Sequence, residues 1–553
     1  MSTSGSPTDW KNTRPRRNGK LGKREDRYHA TRKKLLGTDP KKLSPHGGSI
    51  PAYDDKQQQY CGKTTYKKNV LDSEVVPPCL TDHTSKKHKL YEEVTLPTAR
   101  GQKAAQPNIG IHVGLMNTSV GITGFRDSLS AAGIPVGSKR GMQNSANYVG
   151  SKTVYINRQD MKERRSNLVR LNKLKGFTSD HKISVEGDCR YNNRLFGGNS
   201  STPLQPATQA VYTIAENETP KKEIIGIYTA NKLCKKAEIL RSKGEKITCP
   251  DHGGKCTANL KTTDSIGNEG LYAEKCVKEF QVDEDKLNIG YFTTDGDSHA
   301  TDGATRAQTG SIENLRDTRH FSKSQQKAIE KVSFSLTMFP GKNKSDRQKV
   351  QRRFAIDIKQ RCHLELDIAH RQLAGDITKI VRKMTYTIDS IVACVSGNCS
   401  TLCQRHSFVC SGRRIKAWKP AYLPADSVLK MKEGDKELLR KCLELRLGKT
   451  ALLKTKLNTN TQKVESVNRA YTRTNPKQVT FYRNFEARIH SAAHMLNKGI
   501  LKSTVTRCQL VGAPLTGRIH ALAELKAREC EDRYHATRKK TTRYRSRRNY
   551  LRK

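Results

Sequence analysis

Aromatic residues make up only 6% of this 553-residue chain, with two tryptophans, and the hydrophobic fraction is 34%. So little apolar material cannot build a core along the whole chain. It also leaves no aromatic-rich platform for stacking single-stranded RNA bases. No apolar run approaches the ~18 residues a membrane span needs, so a membrane is not expected as a partner. The polar opening "MSTSGSPTDW" does not read as a signal peptide. Acid is also short. Asp and Glu number 53 against 103 Lys and Arg, a net charge of +50. An excess of that size suits a polyanionic partner, most simply DNA or RNA, bound mostly through phosphate. Cysteine, by contrast, is present fifteen times. An odd number without a secretory signal fits a reducing compartment, so clustered thiols are read first as metal ligands.

Composition divides the chain. Residues 1–106 read as a basic, largely disordered arm; its "TRPRRNGKLGKR" suits nuclear localisation or a nucleic-acid patch. Residues 107–180 read as helical. From 181 to about 500 the texture is that of an α/β domain. "HKISVEGD", "ATQAVYTIAE", "KEIIGIYTA" and "DEDKLNIGYFTTDGDS" are strand-like, and "NEGLYAEKCVKEFQV" is a helix placed before the last of them. A helical, Cys-rich insertion is expected over about 320–460; in it Val350, Phe354, Ile358 and Cys362 recur every four residues. Residues 501–553 form a basic tail, expected to be largely disordered, with twelve Lys/Arg against four Asp/Glu over 524–553. Its Arg538, Lys539, Lys540, Arg543, Arg545, Arg547 and Arg548 are candidate DNA-binding residues.

Three constellations can carry chemistry. The first is a carboxylate set: Asp188 ending "ISVEGD", Asp295 and Asp297 in "TTDGDS", and Glu465 in the helical "TQKVESVNRAY". Converging carboxylates hold Mg²⁺ or Mn²⁺, and paired ions suit phosphodiester cleavage. The bland reading is that strand-end aspartates form turns and a helical glutamate faces water. The second is Cys234, Cys249, His252 and Cys256, three thiols and an imidazole matching structural Zn²⁺. The third is "CVSGNCSTLCQRHSFVC", with Cys394, Cys399, Cys403, His406 and Cys410. Five soft ligands exceed what one tetrahedral ion needs, so which four bind is open. A fourth pattern is Cys362-His363 with Asp367 and His370; His363, Asp367 and His370 share one helix face, which reads as the solvated face opposite the Phe354 stripe.

At these residues the sequence resembles the Mutator-like transposases. "VEGDCRYNNRLFGG" is similar to the family's first-aspartate segment, "IGYFTTDGDS" to its second, and "NTQKVESVNRAYTRTNPK" to the segment carrying the glutamate. "CVSGNCSTLC" resembles the cysteine/histidine motif that precedes the last acid. The resemblance spans roughly 107–545. It implies a ribonuclease-H-like mixed sheet with an Asp–Asp–Glu metal site made of Asp188, Asp295 and Glu465, with Asp297 as a helper. It further implies divalent-metal-dependent cleavage and strand transfer of double-stranded DNA at transposon ends, structural zinc, a nuclear location, and a homo-oligomer as an arrangement compatible with paired ends. Two departures stand out. No second cysteine closely follows Cys234, unless Cys249 takes that part, and Cys399 stands where the family usually has histidine. The rival readings are a catalytically inactive, transposon-derived zinc- and DNA-binding protein, and a related nuclease of the same fold.

The decapeptide "EDRYHATRKK" occurs at 25–34 and again at 531–540. Acids first and bases last suit a short helix. Only the second copy lies within the region of resemblance, so the first reads as a duplication that adds charge.

Overall fold

The computed structural model describes residues 92–94, 104–178, 181–192, 207–250, 252, 256–296, 298–410, 422–423, 429–515 and 517–550, together with two-residue strands at Glu74–Val75 and His88–Lys89. Most of the basic arm expected over 1–106, including the first decapeptide copy, and Asp297 lie outside the described residues. The chain divides into two compact units, Asn157–Ile489 and a second made of Met1–Ile156 with His490–Lys553. Among the described residues no helix is long and apolar enough to cross a membrane.

The first unit is organised by a five-stranded mixed sheet. Its strands are β1 (Lys182–Tyr191), β2 (Gln209–Glu216), β3 (Ile224–Asn231), β4 (Asn288–Thr294) and β5 (Glu313–Arg316), in the order β3-β2-β1-β4-β5. β1, β2 and β3 form an antiparallel meander, while β4 and β5 run parallel to β1 and to each other. The β-branched and aromatic runs expected to form strands do so, because Val, Ile and Tyr pack well on a pleated surface. β2 is buried along its whole length, as an interior strand covered on both faces must be. One expectation needs correction, and one strand was not foreseen. β1 does not stop at Asp188; it runs three residues further because Cys189, Arg190 and Tyr191 find ladder partners in Tyr212, Val211 and Ala210. β5, the charged "ENLR", carries no apolar alternation and gives no strand signal in the sequence.

Alternation in β1 separates two chemistries. Ile183, Val185 and Cys189 join a buried cluster with Phe292 of β4 and with Tyr272, Cys276 and Phe280. Those last three belong to helix α2 (Glu269–Val282), which packs on β2 and β3. Gly226 permits that approach: a Cβ there would lie 2.9 Å from the Phe280 ring. Helix α3 (His299–Ala307) meets α2 backbone to backbone, where a Cβ on Gly303 would fall 1.9 Å from the Gly270 carbonyl oxygen. The other residues of β1, Glu186, Asp188 and Arg190, point to the opposite face, which helix α8 (Gln462–Thr474) covers. Between β5 and α8 comes the helical insertion: α4 (Thr318–Lys331), α5 (Lys344–Gln372), α6 (Ile377–Val395) and α7 (Glu433–Leu447), followed by α8 (Gln462–Thr474). Its core contains the expected stripe of Phe354, Ile358 and Cys362, all buried, with Val350 partly buried against them.

The second unit is helical, with a core of Ile109, Val113, Val149, Cys508 and Val511. Fully buried Arg507 is accommodated there by Asn117 Oδ1 at 3.0 Å, the Ser503 carbonyl and the Ser491 hydroxyl. The tail expected to be disordered beyond a short helix is helical over α9 (Ile519–Lys540) and α10 (Thr542–Tyr550). "ALAELKAREC" is rich in strong helix formers, and Arg533–Glu529 adds an i,i+4 pair.

Candidate metal and nucleic-acid sites

β1 and β4 are parallel neighbours with Glu186 opposite Thr293. Continuing that register, Asp188 comes level with Asp295, the first residue past β4. Adjacent strands lie ~4.8 Å apart, so the two residues stand side by side at one end of the sheet, close enough for the charge of Asp295 to act on Asp188. Asp188 and Glu465 are not among the groups of described residues whose ligand atoms converge on one point. Asp188 is mostly buried and its pKa is pushed up to about 7, first by burial and then by the charges of Asp295 and Glu269. Its Oδ2 accepts the Asn468 amide at 2.8 Å, and its Oδ1 accepts the Cys189 N–H. Glu269 is fixed by the Tyr191 hydroxyl at 2.6 Å.

Helix α8 carries Glu465 in its first turn and Asn468 one turn later, on the same side. Glu186, fully buried in β1, sets the position of this helix. Its carboxylate accepts the Val464 N–H at 2.9 Å and pairs with Lys222 at 3.2 Å. Burial raises its pKa, and the Lys222 charge and the α8 amides oppose the rise. A strand residue thus satisfies the open end of a helix, where a carboxylate is favoured. Arg190 completes the clasp, reaching the Thr472 hydroxyl and the Asn475 carbonyl. The Glu465 carboxylate is about three-quarters buried and pairs with Arg469 at 2.8 Å.

A second buried acid holds the other side. Asp317 caps α4 by accepting the Arg319 and His320 N–H groups, and it also takes the Thr461 N–H at 2.8 Å and its hydroxyl at 2.6 Å. Burial alone would raise its pKa, but those donors hold it below the ordinary value. The Thr461 hydroxyl lies 3.2 Å from Asp295 Oδ1, and His320 Nε2 lies 3.7 Å from the same oxygen. Asp295, Asp317 and His320 are one of three groups among the described residues whose ligand atoms converge closely enough for a metal ion.

The other two groups are the cysteine clusters. Cys234, Cys249, His252 and Cys256 converge as expected, which brings Cys249 close to Cys234 in space. Cys234 Sγ is 3.2 Å from His252 Nε2. Burial pushes the Cys234 thiol up, but N–H groups of Ala237 and Thr257 and the His252 ring hold it down at about 6. In the other cluster Cys394, Cys399, Cys403 and Cys410 come together, without His406. His406 turns away to stack on Tyr386, with ring centroids 4.8 Å apart. Sulfur separations of 3.1 Å (Cys399–Cys410) and 3.9 Å (Cys394–Cys410) are far longer than a disulfide bond. They bracket the roughly 3.8 Å expected between thiolates at ~2.3 Å from one tetrahedral zinc. Both clusters can hold zinc. The Cys362, His363, Asp367 and His370 pattern is not among the converging groups; Asp367 pairs with Arg371 instead.

Arg538, Lys539 and Lys540 form the last turn of α9, and Arg543, Arg545, Arg547 and Arg548 lie along α10; all seven are exposed. The Asp317, Glu186, Thr461 and Asn468 contributions were not anticipated from sequence. A signal existed for two of them. Glu186 is two residues from Asp188, hence on the same strand face, and Asn468 is three from Glu465, hence on the same helix face.

A search of curated proteins and a search of solved structures each give no match. A family model described as Mutator-like transposase matches residues 67–410, well over half of the chain. The matched span contains Asp188, Asp295 and both cysteine clusters and ends before Glu465. The chain belongs to the Mutator-like transposase family.

Proposed function

We propose that this protein cleaves and joins DNA at transposon ends with Asp188, Asp295 and Glu465 as the ligands of divalent metal, on a ribonuclease-H-like sheet. The observation that carries this reading is the register that brings Asp188 level with Asp295, with α8 clasped onto the same strand. An antiparallel meander followed by two parallel strands, in the order β3-β2-β1-β4-β5, supports the fold assignment. The residues fit a hard cation. Burial and like charge push the Asp188 pKa up to about 7, so a bound cation would favour its ionised form. Bound divalent ions supply activation of an attacking hydroxyl and stabilisation of a leaving 3′-oxygen.

The chain's own groups do the positioning. Glu186 seats α8, Asn468 orients Asp188, and Asp317 with Thr461 fixes the approach to Asp295. Glu465 is held by Arg469 through an exposed i,i+4 pair, which screening makes weak enough to exchange. The cysteine clusters take structural zinc, and the basic helices α9 and α10 bind phosphate. With DNA as substrate, the nucleus is the expected compartment.

The test is Mn²⁺-dependent cleavage of candidate element ends by the full chain, beside Asp188→Asn and Glu465→Gln. Each variant should lose roughly 10³-fold or more in rate, a loss of several kcal/mol, with DNA affinity nearly unchanged. Undiminished cleavage by Asp188→Asn would sink the assignment. Wild-type protein that binds ends but never cleaves them would favour the inactive DNA- and zinc-binding reading.

A further inference from the structure

The group around Asp295 contains a ligand type that an all-carboxylate site lacks. His320 Nε2 lies 3.7 Å from Asp295 Oδ1. That is too long for a hydrogen bond. It is in range for two ligands of one ion, because donors ~2.1–2.2 Å from a metal lie roughly 3–4 Å from each other. Asp317, the third member of the group, is not available as a ligand. One of its oxygens accepts two backbone N–H groups and the other accepts the Thr461 N–H and hydroxyl. Its role is to fix the other two members. It holds His320 through the main chain at the start of α4, and through Thr461 it holds the hydroxyl that reaches Asp295. The imidazole is therefore aimed beside Asp295 by a buried cap, while the ring keeps about a third of its surface exposed.

Resting on the metal-site reading above, we propose that His320 supplies a nitrogen ligand next to Asp295, making this a mixed nitrogen–oxygen position that favours Mn²⁺ over Mg²⁺. The preference follows from ligand chemistry: imidazole suits transition ions, whereas Mg²⁺ is hard and keeps to oxygen and water. His320→Gln removes the nitrogen without touching the cap, since Asp317 accepts the backbone N–H of this residue and not its ring.

The experiment is Mn²⁺ binding to the full-length, zinc-loaded protein without DNA, read by titration and by electron spin-echo modulation, which reports ¹⁴N bound to the ion. Wild type should show imidazole nitrogen coupling. His320→Gln should abolish it and weaken Mn²⁺ binding by roughly tenfold, while Mg²⁺ binding changes by less than about twofold. His299→Gln, four residues beyond Asp295, should leave the coupling intact. Coupling that survives His320→Gln, or that disappears in His299→Gln, overturns the inference. If Mn²⁺ binds, depends on Asp188 and Asp295, and shows no nitrogen coupling, the inference fails and the carboxylate site stands. If wild type takes up no Mn²⁺, or Asp188→Asn and Asp295→Asn leave uptake unchanged, both fail.

Discussion

The two cysteine clusters solve one packing problem in opposite ways. The 234–256 cluster hangs from the edge strand β3, and its surroundings are a core of Cys234, Ala237, Cys249 and Ala258 with little else. Polar lacing closes its base: the Asn231 amide reaches the Leu233 and Thr257 carbonyls, and Asn259 bonds the Asn231 N–H and the Thr229 carbonyl. The 394–410 cluster is instead backed by α5 and α6. Buried Glu365 accepts the Phe408 N–H, the Ser407 hydroxyl and the Arg361 guanidinium, while Thr387 and Lys383 tie down the His406 and Arg405 carbonyls. Arg361 sits close enough for its charge to act on Cys394 and Cys410, so it would offset part of the negative charge of four thiolates on a bound zinc. A metal in the first cluster would supply much of its core, whereas the second rests on a hydrogen-bonded scaffold of its own. Metal loss should unravel a loop in one case and strain a helical bundle in the other.

The largest effect expected from breaking this difference comes from the scaffold itself. Glu365→Ala strands the nearly buried Arg361 and leaves the cluster loop without its acceptor. Removing one partner of such a pair costs roughly 3–5 kcal/mol. Chemical denaturation should show that loss, and zinc bound at the second cluster should fall with it. A stability change below about 1 kcal/mol would mean that the scaffold is not what supports the cluster. Next in size is metal removal by mutation. Cys403→Ser and Cys249→Ser should each lower bound zinc from two ions to one per chain, by elemental analysis. Cys249→Ser should open residues 232–259 to protease while the remainder stays folded, because few apolar contacts hold that loop. Cys403→Ser should instead lower the melting temperature of the α5–α6 bundle. The same protease pattern in both variants would erase the distinction.

How much of this was legible beforehand depended on the range of the interaction. The strands β1 to β4 and the helices α2 and α8 announce themselves through local pattern and caps, such as Asn268 accepting the Leu271 N–H at the start of α2. The candidate acids could be named as residues from their segments, but the placing of Asp188 level with Asp295 was not readable. The pairing of β1 with β4 joins segments about a hundred residues apart, and nothing in either segment states the register. Asp317 gave no signal for its part here, because its second pair of hydrogen bonds comes from Thr461, far along the chain. His320 carried no signal at all, since its relation to Asp295 exists only once α4 starts where β5 ends. His406 was a reasonable ligand by spacing; its exclusion follows from a ring stack with Tyr386, which spacing cannot see.

The smallest effect sharpens the comparison most. Cys399 is only partly buried, and its sulfur lies 3.1 Å from that of Cys410. Replacing it with histidine converts a four-thiolate set into the three-thiolate, one-imidazole set already present at Cys234, Cys249, His252 and Cys256. Both sets are competent for tetrahedral zinc. Cys399→His should therefore keep two zinc ions and change stability by less than about 1 kcal/mol. The informative readout is cobalt substitution, in which charge-transfer absorption scales with bound thiolates. Wild type should show seven thiolates over two ions, and the variant six. Because the second cluster stands on Glu365 and Arg361 and not on its fourth sulfur, its thermal transition should stay where it was. If the exchange instead releases zinc or loosens the bundle, the cluster depends on its metal as closely as the first one does, and the contrast between a metal-made core and a scaffolded one is lost.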